Sequence, residues 1–429
     1  MNKFVVDTLA ALRVPVRTTA IETFEVSKAA VLASVRSATT NKKAGGGKNL
    51  MMPAFDAATG FTGACLVSPT GAVAAPRRLA FTSWELFHAA KKSELTQHTA
   101  RSAQKAAVGM SLEYTPMFWW KGNLALLPGG VDSRKDAART NLASRMGEGL
   151  GHLLMQKRFG FKYWDHLPSL FVRLAVANAA RHPEMLRQAH ATKNSALGKE
   201  PDFVFEKTGE VALAECKGHF VGVTHKTMPF GGELRAALAQ LSAWPSRISP
   251  TPKRTFATNA VVVERGHAIP SFLCFADPDG ERGEEPLLVA DDVRRGNYAA
   301  WLLAMGLEDE AEALRWRDDW APSGRRLLVV RIGGRKFVLA PPQLHDDSWW
   351  PDEEFLWRYG RLGGIVAGMD LVAMQAVKRA LRGEPFDDVD LPTEFVADEA
   401  FSGSVLADGT LFGIVRLRHP QEPLEFFDM

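Results

Sequence analysis

Three side chains have the types and the spacing to do hydrolytic chemistry together: Asp202, Glu215 and Lys217. Asp202 follows Pro201, twelve residues intervene, and then comes Glu215-Cys216-Lys217. Side chains alternate faces along an extended strand, so Glu215 and Lys217 project to one side and Ala214 and Cys216 to the other. If the segment between them folds back as a hairpin, Asp202 returns to the neighbourhood of Glu215. Two carboxylates are hard oxygen ligands that suit a magnesium ion retaining most of its waters. Such an ion lowers the pKa of a bound water and neutralises charge growing on phosphorus. A nearby ammonium orients the attacking water or stabilises that charge. The chemistry these groups share is hydrolysis of a phosphodiester bond, with water as the nucleophile.

The combination is singular in the chain. Pro-Asp recurs at Pro278-Asp279 and Pro351-Asp352, and neither is followed by an acid-x-lysine element. Of all the lysines, only Lys217 has an acid two positions before it. Pro201-Asp202…Glu215-Cys216-Lys217 resembles the motif of the PD-(D/E)XK nucleases, the superfamily of restriction endonucleases, recombination nucleases and Holliday-junction resolvases. The resemblance covers residues 136–275. It implies an α/β fold with a restriction-endonuclease-like core, a mixed central sheet flanked by helices. It also implies Mg2+ or Mn2+ as cofactor, with Asp202 and Glu215 as ligands, and DNA as substrate, in a setting such as restriction or anti-phage defence. Many members place a glutamate on the helix before the sheet, where it joins the metal site, and here Glu148 matches. Some carry a glutamine on the helix after the lysine strand, followed four positions on by tyrosine. Gln240 matches, but Trp244 stands where the tyrosine would be. Many of these enzymes cut both strands as dimers, so a homodimer is compatible with the motif. The alternatives are an RNA- or structure-specific nuclease of the same fold, and a non-catalytic DNA-binding or assembly subunit.

The elements that must position these residues can be read from periodicity. A helix over 136–159 carries an apolar stripe of Leu142, Met146, Leu150, Leu153 and Leu154. Gly147 and Gly151 flank Glu148 on another face, and glycines weaken a helix unless something approaches closely. A strand at 161–164 and helical segments over 170–190 follow. Two strands, 203–206 and 211–217, are joined by a turn at Thr208-Gly209. A helix at 232–244 is stopped by Pro245, and buried strands follow at 259–264 and 271–275. Before this core the pattern predicts helices at 3–12, 27–36 and 84–107, the last polar and bearing Lys91, Lys92, Arg101 and Lys105, and a buried or strand-like segment at 116–128. After it come hairpins turning at Gly333-Gly334 and Asp408-Gly409, and helices at 299–316 and 363–381.

Composition narrows the class. The chain has 429 residues, 46% apolar and 24% charged, enough for more than one core without staples. Three domains are expected: a mostly helical region at 1–130, the core at 131–280, and an α+β region at 281–429. The net charge of +3 is the sum of about +8 over 1–130, +4 over 131–300 and −9 over 301–429. A basic front part suits the backbone of a nucleic acid, and an acidic last part suits a protein partner or a regulatory role. The three cysteines, Cys65, Cys216 and Cys274, lack metal-ligand spacing and suit a reducing, cytoplasmic setting. No apolar run is long enough for a membrane helix. Gly45-Gly46-Gly47-Lys48 is followed by Asn49 and departs from a phosphate-binding loop, so it reads as a mobile basic loop. His152, His182 and His190 have no zinc spacing. His219, His225 and Lys226 follow the motif and are secondary candidates. The acidic run from His345 to Glu354 reads as an acidic loop.

Overall fold

The computed structural model describes residues 18–26, 55–56, 60–61, 77–97, 117–132, 135–177, 201–224, 231–242, 254–276, 290–340, 363–392, 395, 401–416 and 425–429. The sequence-expected elements at 3–12 and 27–36, the glycine-lysine loop, His182, His190, His225, Lys226 and the acidic run at 345–354 lie outside them.

The chain begins with strands β1 (Thr18–Glu25), β2 (Phe55–Asp56), β3 (Gly60–Phe61) and β4 (Arg77–Thr82), then helix α1 (Ser83–Gln97). Three short strands follow, β5 (Phe118–Trp119), β6 (Gly122–Asn123) and β7 (Ala125–Leu126), and then α2 (Asp136–Phe159), β8 (Tyr163–His166) and α3 (Leu167–Ala177). Next come β9 (Phe203–Lys207), β10 (Glu210–Val221), α4 (Gly231–Ser242), β11 (Arg254–Val263) and β12 (Phe272–Ala276). The last stretch holds α5 (Ala290–Ala304), α6 (Glu308–Trp316), β13 (Arg326–Ile332), β14 (Arg335–Ala340), β15 (Gly363–Asp370), α7 (Leu371–Leu381), β16 (Phe401–Val405), β17 (Thr410–Arg416) and β18 (Glu425–Asp428). The fold is mixed α/β. No helix among the described residues is long and apolar enough to cross a membrane.

Two compact units emerge. One takes in the described residues from Thr18 to Phe81 and from Met117 to Val293; the other takes in those from Thr82 to Gln97 and from Arg294 onward. The first is built on a mixed sheet of order β4-β1-β12-β11-β10-β9-β8, with β6 also pairing β1. β10 and β11 run parallel, β9 and β10 antiparallel, and β1 pairs parallel with β12. The expected boundary near residue 130 is therefore not where the chain divides. β1 and β4 are strands of the same sheet as the motif, not parts of a separate helical region. The partner of β1, β12, lies some 250 residues on in sequence, beyond the reach of local pattern.

Helix α2 packs on β10, and the two glycines flanking Glu148 explain how. A Cβ on Gly147 would meet the Lys217 carbonyl at 2.5 Å, and one on Gly151 would meet Cys216 Sγ at 2.6 Å. The helix thus lies backbone-close on the Cys216–Gly218 face of the strand. Gly160 ends it in the left-handed region (φ 75°), with its N–H donating to the Gln156 carbonyl at 3.1 Å. Helix α4 packs on β10 and β11.

The second unit holds a fully antiparallel sheet of order β16-β17-β15-β14-β13-β18. Both expected hairpins are present. The helix expected over 363–381 is instead β15 followed by α7. Gly363 and Gly364 disfavour a helix and the β-branched Ile365 and Val366 favour extended backbone, and Gly368 is hemmed by the Val338 carbonyl across the ladder. Asp370 begins α7 by accepting the Val372 N–H at 2.8 Å. The helix expected over 299–316 is two, broken where Gly306 turns to φ 73°. The expected polar helix at 84–107 is α1, described as far as Gln97. Lys91 and Lys92 on it are buried, 3% and 0% exposed. Lys92 pairs with Asp408, whose carboxylate also accepts from Asn297 at 2.8 Å and Thr410 Oγ1 at 2.7 Å. These two lysines stabilise a core and are not available to a polyanion.

Candidate functional site

The motif strands form the expected hairpin. Val211 pairs with Glu206 and Ala214 with Phe203, around a two-residue turn in which Thr208 (φ 46°) and Gly209 (φ 83°) both lie in the left-handed region. The Gly209 N–H donates to Glu206 Oε1 at 2.7 Å. One step beyond the last pair, Asp202 stands next to Glu215.

Each carboxylate there is latched to the backbone of the other strand. The Asp202 N–H donates to Glu215 Oε2 at 3.0 Å, and the Cys216 N–H donates to Asp202 Oδ2 at 3.3 Å. The Lys217 ammonium donates to Glu215 Oε1, forming an ion pair. Glu215 is fully buried, whereas the Lys217 side chain keeps 23% of its surface exposed. The strand thus presents a hidden carboxylate under a partly open cation. Beyond Glu215, β9 has ended and β10 runs on, so the three groups sit at an open step of the sheet.

Electrostatics follow from that packing. Burial, reinforced by the negative charge of Asp202, pushes the Glu215 carboxyl up to about 8, against the pull of Lys217. For Lys217, burial works against the charge, but Glu215 and Asp202 more than offset it and the ammonium holds its proton above the usual value. Burial holds the Cys216 thiol well above its ordinary pKa, so it is an inert core group facing α2.

Glu148 is buried at 7% exposure and accepts from Ser144 Oγ at 3.5 Å. Its charge is felt at Cys216. It therefore lies near β10, on the helix that packs against that strand. Among the described residues no three His, Cys, Asp or Glu side chains converge on one point, so Glu148 does not complete a three-carboxylate set. Gln240 is half-buried on α4, two turns beyond Glu233 on the same helix face. Glu233 Oε2 lies 3.8 Å from His219 Nε2, and His219 follows Lys217 on the same strand face. The structure brings Asp202, Glu215 and Lys217 into contact and places His219, with Glu233 of α4, next along the same strand face. His152 is a core residue, its ring 4.4 Å from Phe203 and 4.7 Å from Trp164.

Sequence reasoning passed over a second cluster in the same unit. Trp119 carries the Arg265 guanidinium at 4.0 Å and the Lys121 ammonium at 5.8 Å from its ring centroid. The only sequence signal was the aromatic run Phe118-Trp119-Trp120, which reads equally as core; Phe118 and Trp120 are core, and Trp119 is half-buried. Comparison with protein-family models, with characterised proteins and with solved structures finds no match to this chain.

Proposed function

We propose that this protein is a metal-dependent endonuclease that hydrolyses phosphodiester bonds in DNA through Asp202, Glu215 and Lys217, on a restriction-endonuclease-like core. The observation that carries this reading is the reciprocal latch between Asp202 and Glu215 with Lys217 paired across it. A surface Glu–Lys pair is solvated and worth little. Here a carboxylate is held fully buried, beside a second carboxylate, at the cost of a strongly raised pKa. Such arrangements are concentrated where a cation or a reaction needs them.

The donor set fits magnesium or manganese. Either ion binds through one or two carboxylates and keeps several waters, so Asp202 and Glu215 suffice, and a closed structural metal site is not called for. When bound, the ion supplies charge neutralisation at the phosphate and a more acidic water. The chain's own residues do the rest. Asp202 and Glu215 are held by backbone amides and need no reorientation on binding. Lys217, a partly exposed cation over Glu215, would direct its ammonium at the scissile phosphate or the incoming water. Inert Cys216 and the glycine-lined face of α2 seal the other side of the strand.

The test is cleavage of plasmid, linear and single-stranded DNA, and of RNA, with magnesium, manganese or EDTA. Cleavage of DNA should require the metal, and Asp202→Ala and Lys217→Ala should each abolish it while leaving the protein folded. If either variant cuts as the wild type does, the assignment is wrong. Preferential cleavage of RNA in the same panel would move the substrate class, and metal-independent DNA binding without cleavage would make the protein a non-catalytic subunit.

A further inference from the structure

The second cluster lies where β10 and β11 end, beyond the motif along the same two strands. β10 and β11 run parallel past the site, Lys217 beside Asn259 and Val221 beside Val263. Where they end, three segments are tied together. The Glu264 N–H donates to the Val221 carbonyl at 2.8 Å, and the Arg265 N–H donates to the Leu126 carbonyl at 2.9 Å. The buried Glu264 carboxylate accepts the Val223 N–H at 3.3 Å through one oxygen and the Gly129 N–H through the other. Phe118 sits edge-on to Phe220, 6.0 Å between ring centroids, fixing β5 against β10. On this corner Arg265 and Lys121, both exposed, share the half-buried indole of Trp119.

Two like charges on one ring repel, and Glu264, next to Arg265 in sequence, has both oxygens engaged by backbone amides. Neither Arg265 nor Lys121 has a carboxylate partner among the described residues. A guanidinium lying over an indole is held in place, and its edge N–H groups remain free to grip a phosphate in bidentate fashion. Arg265 comes six residues after Asn259, so along the strand it is at most about 20 Å from the level of Lys217. That reach matches about six base-pair steps of a duplex.

We infer that Trp119, Lys121 and Arg265 form a phosphate anchor that grips the DNA backbone about half a helical turn from the bond being cut. The inference rests on the reading of the protein as a DNA nuclease and adds where, on the same unit, the substrate's backbone is held. Its consequence is electrostatic. Each phosphate contact releases counterion and contributes to the salt dependence of affinity.

The experiment measures binding of a short fluorescein-labelled DNA duplex by fluorescence anisotropy in EDTA, between about 50 and 200 mM salt. Arg265→Gln and Lys121→Gln should each weaken binding several-fold and reduce the slope of log K against log salt by about 1. Arg265→Lys should keep the wild-type slope. Lys336→Gln, which removes the same charge from an exposed ion pair with Glu425 in the other unit, should leave affinity and slope unchanged. Wild-type affinity and slope in both glutamine variants would overturn the anchor, even if the protein proves to be a nuclease. Reduced slopes in a protein that never cleaves DNA would sink the nuclease and keep the anchor. Failure of the wild type to bind DNA would end both.

Discussion

Glu215 holds a proton near neutrality, and on the proposed reading a cation must displace it. Its folded pKa of about 8 lies above the ordinary 4.5, so its proton favours the native state. That contribution is fully present below pH 4.5 and is lost as pH rises through 8. Metal binding runs the other way, because the ligand must be ionised. Magnesium should therefore raise the melting temperature more at pH 8 than at pH 6, and calorimetry in buffers of different ionisation enthalpy should detect proton release at pH 7. Equal shifts at both pH values would show that Glu215 is not a ligand. Lys217→Met removes the attraction that opposes the raised pKa, so its magnesium response should move to higher pH, whereas Lys217→Arg should resemble the wild type. At this scale much of the site was legible in the sequence. Residue type, strand parity and the unique acid-x-lysine identify three groups that prove to touch. The backbone latch was not legible, because amide donors carry no sequence signature.

The hairpin and α2 are the elements that fix the site, and both follow from local chemistry. Thr208-Gly209 sets the turn, Gly160 stops the helix, and the apolar stripe chooses its buried face. Less obvious is that α2 and β10 meet backbone to backbone. A Cβ on Gly218 would collide with the Ala143 carbonyl of α2, and one on Gly147 would fall against Lys217 and Gly218. Gly147→Ala and Gly218→Ala should each cost about 1–3 kcal/mol through overpacking, read as a lower urea midpoint. Cleavage should fall with them, because the displaced strand is the one that carries Glu215 and Lys217. Stability equal to the wild type in both variants would contradict the close packing. Elements governed by distant partners were harder to foresee. β15 reads as helix because its ladder partners lie in β14 and β17, and only the ladder makes its glycines useful.

Across the whole molecule, charge by itself was a partial guide. The front part of the chain is basic, yet Lys91 and Lys92 are sealed in a core, and in the middle part Arg158 is partly buried beside Phe275. What matters is where unpaired cations reach solvent, and a net count cannot give that. Two units with separate cores predict separable behaviour. Lys92→Met leaves Asp408 buried without its cation and should cost about 3–5 kcal/mol in its own unit. Scanning calorimetry should show that loss in one transition and the magnesium-induced gain in the other. A single transition moved by both perturbations would show the units unfold together. The split at residue 130 expected from composition failed for a physical reason: sheets recruit strands by ladder geometry, without regard to chain order.

The Asp202–Glu215 latch also makes the site separable from its reactivity. Glu215 is tethered by the amide of residue 202, not by its side chain. Asp202→Asn would discard the charge that the proposed reading assigns to the metal while keeping that tether and the shape of the hairpin. The variant is thus suited to act as a substrate trap, an uncut complex from which the bound sequence could be recovered from living cells and read.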